Sequence, residues 1–160
     1  MRKFCLNCGL DMPPETTVCP MCGVSLAGED SDFVDRLIAA LRHPVPDRAG
    51  LAINILADML HEPRAILPLI HLLSTSNDAE ILRQAVQALG HFGDPRAVEP
   101  LLALASRLET ALIVRRAVVD ALACIGGDGA ESGLWAALED PSASVRELAQ
   151  AKLAELKRSL

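Results

Sequence analysis

The sequence predicts an all-α protein, a short α-solenoid of antiparallel helical hairpins behind a small cysteine-rich N-terminal domain. Three observations carry that expectation. Residues 81–106, ILRQAVQALGHFGDPRAVEPLLALAS, place Ile81, Ala85, Leu89 and Phe92 on one helical stripe, break at Gly93-Asp94-Pro95, and place Val98, Leu101, Leu102 and Ala105 on a second. Relatives of this stretch begin at Arg48, Val114 and Val145, so the copies are spaced by 33, 33 and 31 residues, a period that marks stacked repeats. Finally, two Cys-x-x-Cys pairs fall within the first 22 residues and nowhere later. The division that follows is a head over 1–26, a linker over 27–31 and a repeat domain over 32–160.

Taken in order, the head comes first. Cys5-x-x-Cys8-Gly9 and Cys19-Pro20-x-Cys22-Gly23 are near-copies, each able to turn as a tight knuckle with two thiolates facing one ion. Glycine after each second cysteine suits a turn of positive φ with amides directed at sulfur. Four soft ligands are the tetrahedral set of a closed structural zinc site, so Cys5, Cys8, Cys19 and Cys22 are the candidate metal ligands. Iron is the main metal alternative, and a dithiol redox pair is a third reading. The motifs FCLNCG and VCPMCG resemble the zinc-ribbon family, and the resemblance implies one structural Zn2+. So small a head cannot build an adequate core, which makes metal binding its source of folding energy.

Ala27-Gly28-Glu29-Asp30-Ser31 reads as a flexible acidic linker. Asp32 has the chemistry of an N-cap, and the stripe Val34, Leu37, Ile38 and Leu41 then predicts a capping helix to about residue 42. His43-Pro44-Val45-Pro46-Asp47 reads as a loop. Three hairpins follow. Their first helices carry the weaker stripe Arg48, Ala52, Leu56, Met59, then the stripe of residues 81–92, then Val114, Val118, Leu122, Ile125. Their second helices carry Ile66, Leu69, Ile70, Leu73, then the stripe of residues 98–105, then Glu131, Leu134, Trp135, Leu138, starting near Ala65 and Ala97 with Pro68 and Pro100 in the first turn. Val145, Ala149, Leu153 and Leu156 give a final single helix, about 144–157. Through LRQAVQALGHFGDPRAVEPLL and VRRAVVDALACIGG the chain resembles the HEAT-like repeat family, particularly the short variety of phycobilisome lyase-type proteins. That resemblance implies an α-solenoid and admits scaffolds, accessory subunits and lyases alike.

Composition narrows the function. The chain has 15 basic and 21 acidic residues, a net charge of −6, and no Lys/Arg run longer than two; a nucleic-acid surface is normally basic. Three Phe, one Trp and no Tyr leave few platforms for base stacking. No apolar h-region follows Met1-Arg2-Lys3-Phe4, and no run of 18 apolar residues exists to span a membrane. The expectation is a cytoplasmic protein without membrane contact, and paired CxxC units agree with a reducing compartment.

No nucleophile with its base and no glycine-rich phosphate loop is present, so the chain reads as non-enzymatic. His61-Glu62 invites comparison with the HEAT-repeat iron hydroxylases but is a single pair at a turn. His91 and Cys124 share a register position and supply only two ligands for a second metal. Arg64 and Arg96 share another, and Arg115, Arg116 and Arg146 cluster at the starts of later first helices; ties to loop carboxylates such as Asp94 or Asp140 of neighbouring repeats are the expected use. Trp135 is expected to fill the core slot held elsewhere by Ile70 or Leu102. In HEAT-like arrays the solvent side of the second helices lines the concave face, which by register means Leu67, His71, Ser74, Glu99, Ala103, Ser106, Ser132, Ala136 and Glu139, with Trp135 beside them. Small and mildly polar, that face suits a protein segment. The reading is a protein–protein adaptor with a structural zinc. The alternatives are a ribbon docking on nucleic acid or on transcription or translation machinery, and an accessory subunit or lyase-type enzyme using the groove.

Overall fold

A computed structural model describes residues 3–5, 10–13, 15–21, 33–107 and 109–158. The chain divides into two compact units, residues 1–62 and 63–160. In the first, two-residue strands β1 (Lys3–Phe4) and β2 (Asp11–Met12) pair antiparallel, Lys3 opposite Met12 and Phe4 opposite Asp11. Helix α1 (Phe33–Ala40) packs on α2 (Pro46–Asn54). Asp32, the expected N-cap, and the linker 27–31 lie outside the described residues. The expected loop 43–47 lies two residues earlier, over 41–45, because α1 ends at Ala40 and Pro46 opens α2 at N1, where its missing N–H costs little.

The first stripe departs further from expectation. Arg48 is exposed, Ala52 and Leu56 are buried at 2% and 0%, but Met59 is 76% exposed. The cause is a π-turn over Ile55–Met59, closed by the Leu60 amide on the Ile55 carbonyl at 2.9 Å. One extra residue in that turn rotates position 59 off the stripe. His61 follows with φ 48°, the register counterpart of Gly93 (φ 65°) and Gly126 (φ 69°), so each hairpin turns at a residue of positive φ, joined in the third by Gly127 (φ 81°).

The second unit is a regular array. Its helices are α3 (Ile66–Thr75), α4 (Ala79–Phe92), α5 (Val98–Ala105), α6 (Leu112–Ile125), α7 (Gly127–Ala136) and α8 (Ala143–Arg158). Even-numbered helices stack in one layer, α4 on α6 on α8, and odd-numbered helices in the other, α3 on α5 on α7. Short 3₁₀ turns, Pro63–Ala65 and Pro95–Ala97, lead into α3 and α5. Asp78 caps α4 by accepting from the Glu80 and Ile81 amides at 2.9 and 3.0 Å. Leu69, Leu89, Leu101, Val114 and Leu134 are fully buried between the layers, as the stripes require. Gly90 allows α4 and α6 to touch: a Cβ there would stand 2.9 Å from the Ala121 Cα.

Some stripe positions need correction. Leu104, outside the expected stripe, is 1% exposed, whereas Phe92 and Ala105 are half-buried. Trp135 does not fill the core; it is 46% exposed. Helix α7 presents Leu134 and the side-chain-free Gly133 inward, and a Cβ on Gly133 would already meet Leu102 at 2.6 Å. The indole lies across the surface, with its Nε1 donating to Glu131 at 3.3 Å and the Lys157 ammonium 5.2 Å from its ring centre.

Candidate functional site

The face expected for a partner is built by α3, α5 and α7. Leu67, Glu99 and Ser132 are register equivalents in the first turns, His71, Ala103 and Ala136 in the middle, and Ser74, Ser106 and Glu139 at the ends. All nine are exposed, Leu67 at 60%. Neighbouring odd helices pack directly, so the three rows run across adjacent helices. Local bonds restrain the serines: Ser74 donates to the His71 carbonyl at 2.8 Å, Ser106 to Ala103 at 2.9 Å and Ser132 to Asp128 at 2.8 Å. Apart from Leu67 and Trp135, the surface is of short side chains with few charges.

Arginines hold the loops that carry this face, Arg115 by a carboxylate tie between repeats as expected, Arg96 within its own turn and Arg146 on backbone carbonyls. Arg96 closes on Asp94 at 2.6 Å within its own turn, and this guanidinium holds the Asp94 carboxyl below the usual carboxylate range. Arg115 pairs with Asp140 at 3.0 Å, with side chains only 18% and 12% exposed, and also donates to the Thr110 carbonyl at 2.6 Å. Arg146 donates to the carbonyls of Asp140 and Pro141 at 2.8 and 2.9 Å.

One feature of the face has no counterpart in the sequence expectations. Between α5, α6, α7 and α8 lies a cleft of about 470 Å³. Leu102, Val118, Leu122 and Val145 form its apolar wall, Ser106, Ala136 and Glu139 of the expected face stand at it, and Arg107 and Arg115 supply its cations. Register comparison points to it. Leu72 and Leu104, buried at 7% and 1%, correspond to Ala137, so the third hairpin lacks a leucine that the first two carry.

In the head, Cys5 and Cys19 are buried at 0% and 1% in one small core with Met12, and Leu10 packs against it. Cys5 follows β1 directly, and its amide donates to the Leu10 carbonyl at 2.9 Å. Cys8 and Cys22 lie outside the described residues. Among the described residues no three His, Cys, Asp or Glu side chains converge as a metal set, which leaves His91, Cys124 and His61-Glu62 without such a grouping. Nor is any helix among the described residues long and apolar enough to cross a membrane.

Comparison with known families matches a model described as HEAT repeats twice, over residues 34–111 and 66–154. Comparison with curated proteins finds no match.

Proposed function

The chain belongs to the HEAT-repeat family, and from that premise we propose that it is a non-enzymatic scaffold that holds a protein partner along α3, α5 and α7, with a structural zinc site in its head. The observation that carries the first part is the common exposure of register-equivalent positions on three adjacent helices, Leu67, Glu99 and Ser132 with His71, Ala103 and Ala136. A stacked array displays such a row as one continuous surface, and short side chains leave room for an extended or helical segment to lie on it. The net charge of −6 favours a protein over a nucleic acid as that partner.

For the zinc, the support is that Cys5 and Cys19, one from each Cys-x-x-Cys pair, share a single buried core. Cys8 and Cys22 would complete a four-thiolate shell, which holds Zn2+ in a structural role with no open position for chemistry.

The scaffold reading is tested by affinity purification of the tagged full chain from its source cells at moderate salt. The expected result is a stoichiometric protein that is lost from the double variant His71→Glu, Glu99→Lys. Retention of nucleic acid or a small molecule in place of any protein overturns it.

A further inference from the structure

Positions 72, 104 and 137 are equivalent in the three hairpins and hold Leu, Leu and Ala. Two of them fill the space between layers; the third leaves a space about 470 Å³ in size, within the range of roughly 300–1,000 Å³ typical of ligand sites. Its walls are aliphatic, from Leu102, Val118, Leu122 and Val145, so it favours an apolar occupant. Charge then selects what lies beside that occupant. Arg107 Nη1 donates to the Leu73 carbonyl at the end of α3, 3.2 Å away, and no carboxylate among the described residues pairs with it. Arg115 Nε is buried and lies 3.0 Å from Asp140, yet its N–H is not aligned on any acceptor. Asp140 is committed to Arg115 and to the Ser142 amide at 2.8 Å, and Glu139 stands exposed on the α7 side. The α5 side therefore attracts an anion while the α7 side repels one.

We propose that this cleft is the anchor subsite of the scaffold: it receives an aliphatic side chain of a partner segment, and Arg107 binds a carboxylate one or two residues away on that segment. This rests on the scaffold reading above and names the chemistry of its partner. Ala137 makes the cleft, Arg107 sets its polarity, and Ser106 and Ala136 connect it to the rest of the exposed face. The segment is held as an interface hot spot is, by one buried apolar anchor beside one charge-assisted contact.

The experiment screens the full chain against a library of end-blocked seven-residue peptides randomised at every position, then measures anisotropy of the enriched, labelled peptides. Enrichment of Leu, Ile or Met next to Asp or Glu is expected. Ala137→Leu, which restores the leucine of the other hairpins, should weaken those peptides about tenfold or more while the helical circular dichroism is kept. Arg107→Gln should weaken them about tenfold and have no effect on the same peptides with Asn or Gln in place of the acid; it also serves as the test if the leucine variant does not fold. Peptides that bind both variants as well as the parent protein, or that lack the motif, overturn the cleft and leave the scaffold standing. No enriched peptide at all overturns both. Binding of sodium octanoate to the cleft without any enriched peptide assigns it to free aliphatic acids and overturns the partner segment.

Discussion

Arg48 breaks the first stripe in the sequence, and its surroundings show what occupies the position instead. It is exposed, with Nη1 3.2 Å from His43 Nε2, while His43 Nδ1 accepts the Val45 amide at 3.0 Å. That acceptance needs an unprotonated Nδ1. Partial burial, and then the Arg48 charge, hold the His43 pKa below the ordinary imidazole value. A lowered folded pKa means that the neutral ring is the stabilising form. Its contribution is complete above the ordinary value of about 6.5 and is lost as pH falls through the lower folded value. An NMR titration of the His43 ring protons should therefore give a midpoint below about 6.5, and Arg48→Gln should move it upward. A midpoint at or above that value in the parent protein would remove the arrangement. Residue-scale detail of this kind is not legible in the sequence. The apolar pattern marks Arg48 as an exception, but the contact depends on where Pro46 starts α2. Trp135 shows the same limit from the other side. The repeat register gives its position in α7, but its equivalents Ile70 and Leu102 are themselves only half-buried, and the larger indole lies on the surface against Glu131 and Lys157.

Helices and their turns are the most legible scale, because apolar period and Gly-Asp-Pro punctuation act locally. The long stripes of α4 and α6 and the bounds of α8 need little correction. The π-turn at Ile55–Met59 does, since its extra residue shifts phase without any proline or glycine to announce it. Close approach is equally silent. Gly90 lies inside α4, where helix propensity alone says that Gly90→Ala should stabilise by about 1 kcal/mol. Packing says the opposite. The new methyl would stand 2.9 Å from the Ala121 Cα and 3.0 Å from its Cβ, and helix backbones give way only at a cost of about 1–3 kcal/mol. A net loss of about 1 kcal/mol is expected in urea unfolding, and a gain would mean that α4 and α6 are not in this contact. Gly93 tests the turn separately. Its φ is 65° with nothing within 4 Å of an added methyl, so Gly93→Ala should lose up to about 1 kcal/mol through backbone conformation alone. His61 occupies the same turn position at φ 48°, a region that histidine enters more readily than most residues.

At the scale of the whole molecule the two parts draw on different sources of stability. Residues 63–160 contain their own layers and a core of large aliphatic side chains, from Leu69 and Leu73 through Val86, Leu101 and Val118 to Leu134. The described core of the head is Cys5, Met12 and Cys19 with Leu10 against it, too small to offset the entropy of ordering the segment. A zinc ion bound by Cys5, Cys8, Cys19 and Cys22 would supply what the core does not. Metal analysis of the purified chain should then return one zinc per chain, and the double variant Cys8→Ser, Cys22→Ser should return none. The helical circular dichroism and its thermal midpoint should be nearly unchanged in that variant, because most of the residues that carry the signal lie in α3 to α8, which are packed against one another. Iron in place of zinc would keep the ligand set and change the metal. Loss of the helical signal together with the metal would show that head and array unfold as one cooperative system, and the array's own core would then have to be judged insufficient on its own.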